Sequence, residues 1–211
     1  MKNLVYKEFK LSINKFFLIL PILLGLLMFI PGWIFTLVFM YFFWISVSQI
    51  YAGYIGKGDH SFNAVLPVSK KEIVLSKIYS LFILEGLHII IGIFFGIFHN
   101  LIYGQWNFFF DINIAFIGHI LLLFAIFNVI FLPMYFKTGY YFGKPVIYGN
   151  VAVVIYAFII EYSITRYQWV RDVLEGDILT QYIILFIGVI LSVGLSIFTI
   201  RKSISNFESI N

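Results

Sequence analysis

The stretch LPVSKKEIVLSKI, residues 66–78, carries Lys70, Lys71, Glu72 and Lys77 in a chain of 211 residues of which only 11% are charged. It is written as a helix start. Pro67 interrupts what precedes it. Ser69 can cap the helix, with Glu72 three residues on in the spacing of a capping box, and Val68 and Ile73 stand where a hydrophobic staple needs them. The surroundings are of another kind: hydrophobic residues make up 62% of the chain and aromatics 21%, whereas a soluble domain is about half apolar. The solvent for most of this sequence is therefore lipid, and the chain is an all-α polytopic membrane protein. It contains no cysteine, which excludes disulfides, thiolate nucleophiles and Cys-type metal sites.

Working outward from that stretch, six apolar runs approach the roughly 20 residues that a spanning helix needs. They cover about 13–30, 33–55, 78–99, 114–136, 146–165 and 181–200, within one membrane domain over 1–211. Pro31-Gly32 ends the first run, and no small-residue cleavage site follows it, so the first two runs read as a retained helical hairpin rather than a signal peptide. The basic residues then sort by side. Lys2, Lys7, Lys10 and Lys15 precede the first span. Lys57, Lys70, Lys71 and Lys77 lie between the second and third, Lys137 and Lys144 between the fourth and fifth, and Arg201 and Lys202 after the sixth. Only Arg166 and Arg171 fall on the other side. By the positive-inside rule both termini are cytoplasmic, and so is the opening stretch.

The segments between spans have characters of their own. In residues 1–15, Val5, Phe9 and Ile13 recur every four residues with Lys7 and Lys10 to the side. That pattern fits a basic amphipathic helix in the headgroup layer, or else a plain positive flank that sets topology. Residues 100–113 hold Tyr103, Trp106, Phe108, Phe109 and Phe110, suited to an interfacial aromatic belt. In residues 166–180, Asp172, Glu175 and Asp177 offset Arg166 and Arg171, and the length suits one short helix on the outer surface.

Catalytic signals are sparse. The glycine-rich GYIGKGD, residues 53–59, has the wrong spacing for a phosphate loop and no Ser or Thr after Lys57, so the chain does not bind and split ATP by itself in that way. No nucleophile elbow and no zinc-protease motif occurs. Glu85 and His88 form a Glu-x-x-His pair on one helical face, a motif that di-metal bundles use twice with further glutamates. Here Glu161 is the only other carboxylate inside a run, so no metal site is assigned. A carboxylate as deep as Glu85 must be paired, protonated or facing water. It either reaches back towards Lys77 or lines a pathway or helix contact. His88, His99 and His119 read as packing or interfacial residues, and His60 as facing water.

The Leu-Pro, polar turn and basic-acidic helix of Leu66–Lys77, together with six spans, cytoplasmic termini and no ATPase motif, resemble the permease subunits of bacterial ABC-2 type transporters. Among these, small Gram-positive exporters of amphipathic or antimicrobial peptides and toxins, such as the phenol-soluble modulin exporters, are the nearest in kind. The resemblance implies a plasma-membrane permease that pairs with a second permease chain, identical or sister. Two copies of a separate ATPase hold the ATP and magnesium, so this chain carries no cofactor, no catalytic residue and no nucleic-acid partner of its own. It makes residues 1–15 an elbow helix and about 69–77 a coupling helix that docks on the ATPase through Pro67, Ser69, Lys70, Lys71, Glu72, Ile73 and Lys77. Ile73, Val74 and Ile78 then tie that helix to the membrane domain. Taken without the resemblance, the same stretch also fits an interfacial anchor. Two other classes compete: an immunity factor that binds a toxin peptide without transporting it, and an intramembrane metal enzyme built on Glu85 and His88.

Overall fold

Among the described residues every element is a helix. The computed structural model describes residues 1–56, 58–104 and 107–210, without the side chains of residues 60 and 64. Lys57, Trp106 and the His60 side chain, which carry expectations above, lie outside the described residues.

The chain opens with α1 (Lys2–Lys7), which runs into a π-helical turn over Glu8–Ser12. It then bends by 77° into α2 (Phe16–Gly25), which tightens into a 3-10 turn at Leu26–Phe29. Gly32, at φ +71, reverses the chain after Pro31; a side chain there would be strained. The second apolar helix, Phe35–Gly56, is α3 (Phe35–Tyr41) and α4 (Ser48–Gly56) joined by a π-helical turn at Phe42–Val47. A short α5 (Asp59–Ala64) follows. The remaining helices are α6 (Lys70–Tyr103), α7 (Ile114–Lys137), α8 (Gly143–Arg166), α9 (Gln168–Glu175) and α10 (Ile178–Glu208).

Five of these helices are long and apolar enough to cross a membrane: Phe35–Gly56, α6, α7, α8 and α10. The first apolar run differs. Phe16–Phe29 reaches the required length only together with Lys2–Ser12, across the 77° bend. Both termini lie at one end of the bundle. There Lys7 meets Asp59, the Lys70 ammonium donates to the Ile210 carbonyl, and Phe207 packs on Phe136 and Tyr140.

The core is aromatic because the middle of the bundle is filled from two helices of similar composition. Phe35, Phe39, Phe42 and Phe43 from the second apolar helix meet Phe116, Phe127 and Phe131 from α7, all fully buried. Phe43 stacks on Phe127 at 4.2 Å, an arrangement worth about 0.5–1.5 kcal/mol beyond the area it buries. Helices α7 and α10 come backbone to backbone where Gly118 faces Gly188. The outward faces of α8 and α10 keep Phe158, Phe186 and Leu179 exposed, as a lipid-facing surface does.

Three expectations change at this level. The expected helix over 69–77 and the expected span over 78–99 are one helix of 34 residues, because nothing between Ser69 and Tyr103 breaks it: there is no proline, and two of its three glycines, Gly92 and Gly96, pack against Phe39 and Ile112. At 1.5 Å per residue that helix is about 50 Å long, more than the roughly 30 Å of a hydrocarbon core. The separate helix in this loop is α5 instead. In the N-terminal segment, the π-helical turn rotates the inward face, which buries Glu8, Ser12 and Ile13 rather than the Val5-Phe9-Ile13 stripe. In the 100–113 loop, Phe110 leaves the expected belt and is fully buried against Phe116 and His119.

Candidate coupling site and buried polar groups

The opening stretch forms the capped start of α6. The Ser69 backbone N–H donates to Glu72 Oε2 at 3.0 Å, and the Glu72 N–H donates back to Ser69 Oγ at 3.2 Å. Both halves of the capping box are therefore present, worth about 1 kcal/mol of helix stability. Lys70 and Lys71 are exposed, and Ile73 and Val74 are buried into the bundle. Pro67 sits in the turn between α5 and α6. The exposed surface beside it includes Phe62 and Val65, the latter 78% exposed. The end of the molecule thus presents an apolar and basic patch on rigid supports.

Lys77 does not belong to that patch. It is 1% exposed, which corrects the expectation that it meets a soluble partner. Helical geometry explains this: Lys77 shares a face with Val74, Ile78 and Leu81, which are all buried in the core. Its ammonium lies 2.6 Å from Asp59 Oδ2 and 3.7 Å from Glu8 Oε2, and it rests over the Tyr54 ring at 3.2 Å from the centroid. Lys7 completes the cluster, 2.9 Å from Glu8 Oε1, 3.1 Å from Asp59 Oδ1 and 2.8 Å from Asn63 Oδ1. Two cations and two anions from α1, the π-helical turn, α5 and α6 thus neutralise each other out of water. Burial alone would push the Asp59 carboxyl up, but Lys77 and then Lys7 outweigh it and hold that carboxyl below its ordinary range. Tyr140 closes the far side, its ring 5.4 Å from the Lys77 ammonium. It does so from a positive φ of 77°, a conformation that a bulky residue keeps only when its surroundings hold it there.

Deeper in α6, Glu85 and His88 take separate partners. The Asn128 side-chain amide of α7 donates to both Glu85 oxygens at 2.9 Å. His88 Nε2 bonds the Val38 carbonyl at 3.0 Å. Glu85 therefore joins α6 to α7 and does not reach back to Lys77. Among the described residues, no three His, Cys, Asp or Glu side chains converge in a way that could hold a metal ion.

At the end opposite the termini lies a polar group that sequence reading left in pieces. The Thr36 hydroxyl donates to Glu161 Oε1 at 2.5 Å and contacts His119 Nε2 at 3.2 Å. His119 Nδ1 meets the Tyr156 hydroxyl at 3.0 Å, and the Phe110 N–H donates to Glu161 Oε2 at 3.0 Å. The second apolar helix, α7, α8 and the 107–113 loop are joined through it. Just above, α9 caps the end. Arg171 Nη1 donates to the Asn107 carbonyl and pairs with Glu175, and the Asp111 N–H donates to Glu175. Burial, and then the neighbouring Glu175, push the Asp111 carboxyl up to about 6.

These features define a polytopic helical membrane protein with both chain ends and the start of α6 gathered about one charged base. A family model described as ABC-2 family transporter protein matches residues 3–208, and the chain belongs to that family. It is accordingly a membrane component of a transport system rather than a catalyst, and members of the family typically work with an ABC ATPase. Neither a curated protein nor a solved structure matches the chain.

Proposed function

We propose that this chain is the permease subunit of an ATP-driven exporter of amphipathic or antimicrobial peptides or toxins, in the plasma membrane. It has six spans, the first of them short, and both termini in the cytoplasm. A second permease chain pairs with it, and two copies of a separate ATPase bind the base. The observation that carries this reading is the family match over 3–208, joined to a base built to receive force. The capped start of α6 is continuous with a membrane span, so a push on it moves the span directly. The docking surface is drawn by exposure. Pro67, Ser69, Lys70, Lys71 and Glu72 stay in it, with Phe62 and Val65 of the preceding segment added. Ile73 and Lys77 act from beneath, as the anchor that keeps the surface in register. Exposed apolar side chains supply the contact area, and the lysines supply orientation against an acidic partner.

The test is capture of the tagged chain from its native membranes, followed by ATP hydrolysis in the eluate. Wild type is expected to bring down an ATPase. Val65→Asp, or Lys70→Glu with Lys71→Glu, is expected to release it or to cut hydrolysis at least about tenfold, a loss of about 1.4 kcal/mol of coupling. Recovery of the wild-type chain without any ATPase would overturn the reading.

A further inference from the structure

Glu161 is the one carboxylate of the far polar group, and it is only 7% exposed. Its two oxygens receive the Thr36 hydroxyl and the Phe110 N–H. Since Thr36 gives its single hydroxyl hydrogen to Glu161, it accepts from His119 Nε2–H. His119 Nδ1 is then the acceptor for the Tyr156 hydroxyl. Every hydrogen in this chain points towards Glu161: Thr36 and the Phe110 N–H donate to it directly, with His119 and Tyr156 lined up behind Thr36. No ion pair involves Glu161 among the described residues; the nearby Arg171 is spent on Glu175 and the Asn107 carbonyl. A buried carboxylate inside a span, surrounded by donors but lacking a counter-cation, marks a functional site by default.

Glu161 forms part of the wall of a cavity. A cleft of about 370 Å³ runs between the second apolar helix and α8, with Thr36 and Glu161 in its wall. The rest of the wall is apolar and rich in ring faces: Trp44, Phe109, Phe158 and Tyr162 all line it. Trp44, Val154, Phe158 and Tyr162 are also exposed at the surface of the bundle, so the cleft is reached sideways. Its volume falls at the small end of the range for ligand pockets. Aromatic faces attract ammonium groups, and more strongly where water is excluded. An apolar cleft with a single uncompensated carboxylate is complementary to an apolar molecule with a single cation.

We propose that this cleft binds a cationic amphiphile, an apolar body bearing one ammonium group, with Glu161 as its counter-ion and the rings of Trp44, Phe158 and Tyr162 around it. Regarding that ligand as cargo rests on the permease reading; the binding site itself does not. The cleft selects against anionic amphiphiles, because a second negative charge beside Glu161 is repelled without screening by water.

The experiment is ligand-observed NMR titration of the full chain in lipid nanodiscs, with decyltrimethylammonium and decyl sulfate below their micelle concentrations. Wild type is expected to prefer the cation by at least about tenfold, and Glu161→Gln to bring the two within about threefold. Val154→Trp, at an exposed position on the cleft wall, is expected to abolish cation binding while leaving the Glu161 hydrogen bonds in place. It decides the matter if Glu161→Gln does not fold. Equal binding of cation and anion by wild type, a preference that survives Glu161→Gln, or cation binding that survives Val154→Trp overturns the site. Co-capture of an ATPase without cation preference would sink this proposal alone. Cation preference without any ATPase would sink the permease reading and leave the site standing.

Discussion

At the scale of single residues, Lys77 shows how far a sequence can be read. Its charge and its place two turns into α6 are plain from the sequence; its companions are not. Glu8 comes from the far N-terminal segment and Asp59 from the preceding short helix, and only the fold brings both within reach of one ammonium. Removing one member of a buried charge group leaves the others uncompensated, at about 3–5 kcal/mol. Lys77→Met is therefore expected to lower the unfolding free energy of the detergent-solubilised protein by that order. Asp59→Asn in the same chain removes the excess negative charge and is expected to restore at least half of the loss. Strictly additive losses in the double variant would show that the cluster is not a unit. The far polar group was half legible. Glu161 and His119 stand out as polar residues inside apolar runs, but Thr36 and Tyr156 carry no such signal. Threonine is ordinary in spans and tyrosine is common throughout this chain, so their role is set by packing.

At the scale of elements, the legible features were those with local causes. Ser69 and Glu72 form the capping box that their spacing implies, and Gln168–Glu175 supplies the short helix expected between the last two spans. What escaped was set by context. The continuity of α6 could not be seen because its first turns are polar and its later turns apolar, which reads as two elements. The short α5 has no apolar period to betray it. The contact of α7 with α10 is of the same kind: Gly118 and Gly188 are two among the chain's 16 glycines, and only the structure opposes them. A Cβ on Gly188 would lie 2.7 Å from the Gly118 carbonyl oxygen and 2.8 Å from its Cα. Backbone cannot yield as a side chain does, so Gly188→Ala is expected to cost about 1–3 kcal/mol. On the same helix, Gly194 has nothing within 4 Å of its missing Cβ. Gly194→Ala should leave the melting temperature unchanged or raise it, by up to about 1 kcal/mol in stability. Equal effects at both positions would argue against the close approach.

At the scale of the whole molecule, the number and placement of apolar runs implied that both termini lie on one side, and the structure puts both chain ends at one end of the bundle, where Lys7 meets Asp59 and Lys70 bonds the Ile210 carbonyl. The lengths of the runs were less faithful, because a proline-glycine stop marks where a run ends but not how much of it is helical. The first run has ten α-helical residues and a four-residue 3-10 turn. At 1.5 Å and 2.0 Å per residue these reach about 23 Å, some 7 Å less than a typical hydrocarbon core of about 30 Å, while its partner α6 is far longer. In the proposed six-span permease, a short wall beside a tall one forces the surrounding leaflets to pinch, at fractions of a kcal/mol per Å. In the proposed exporter, turnover should be fastest in lipids with short acyl tails and fall as the tails lengthen from about 14 to 22 carbons, a trend that proteoliposomes of graded thickness would reveal. A flat response would mean that the bend between Ser12 and Phe16 absorbs the deficit. Otherwise the bilayer around the first span is permanently dimpled, and the lipids themselves become a spring in the machine.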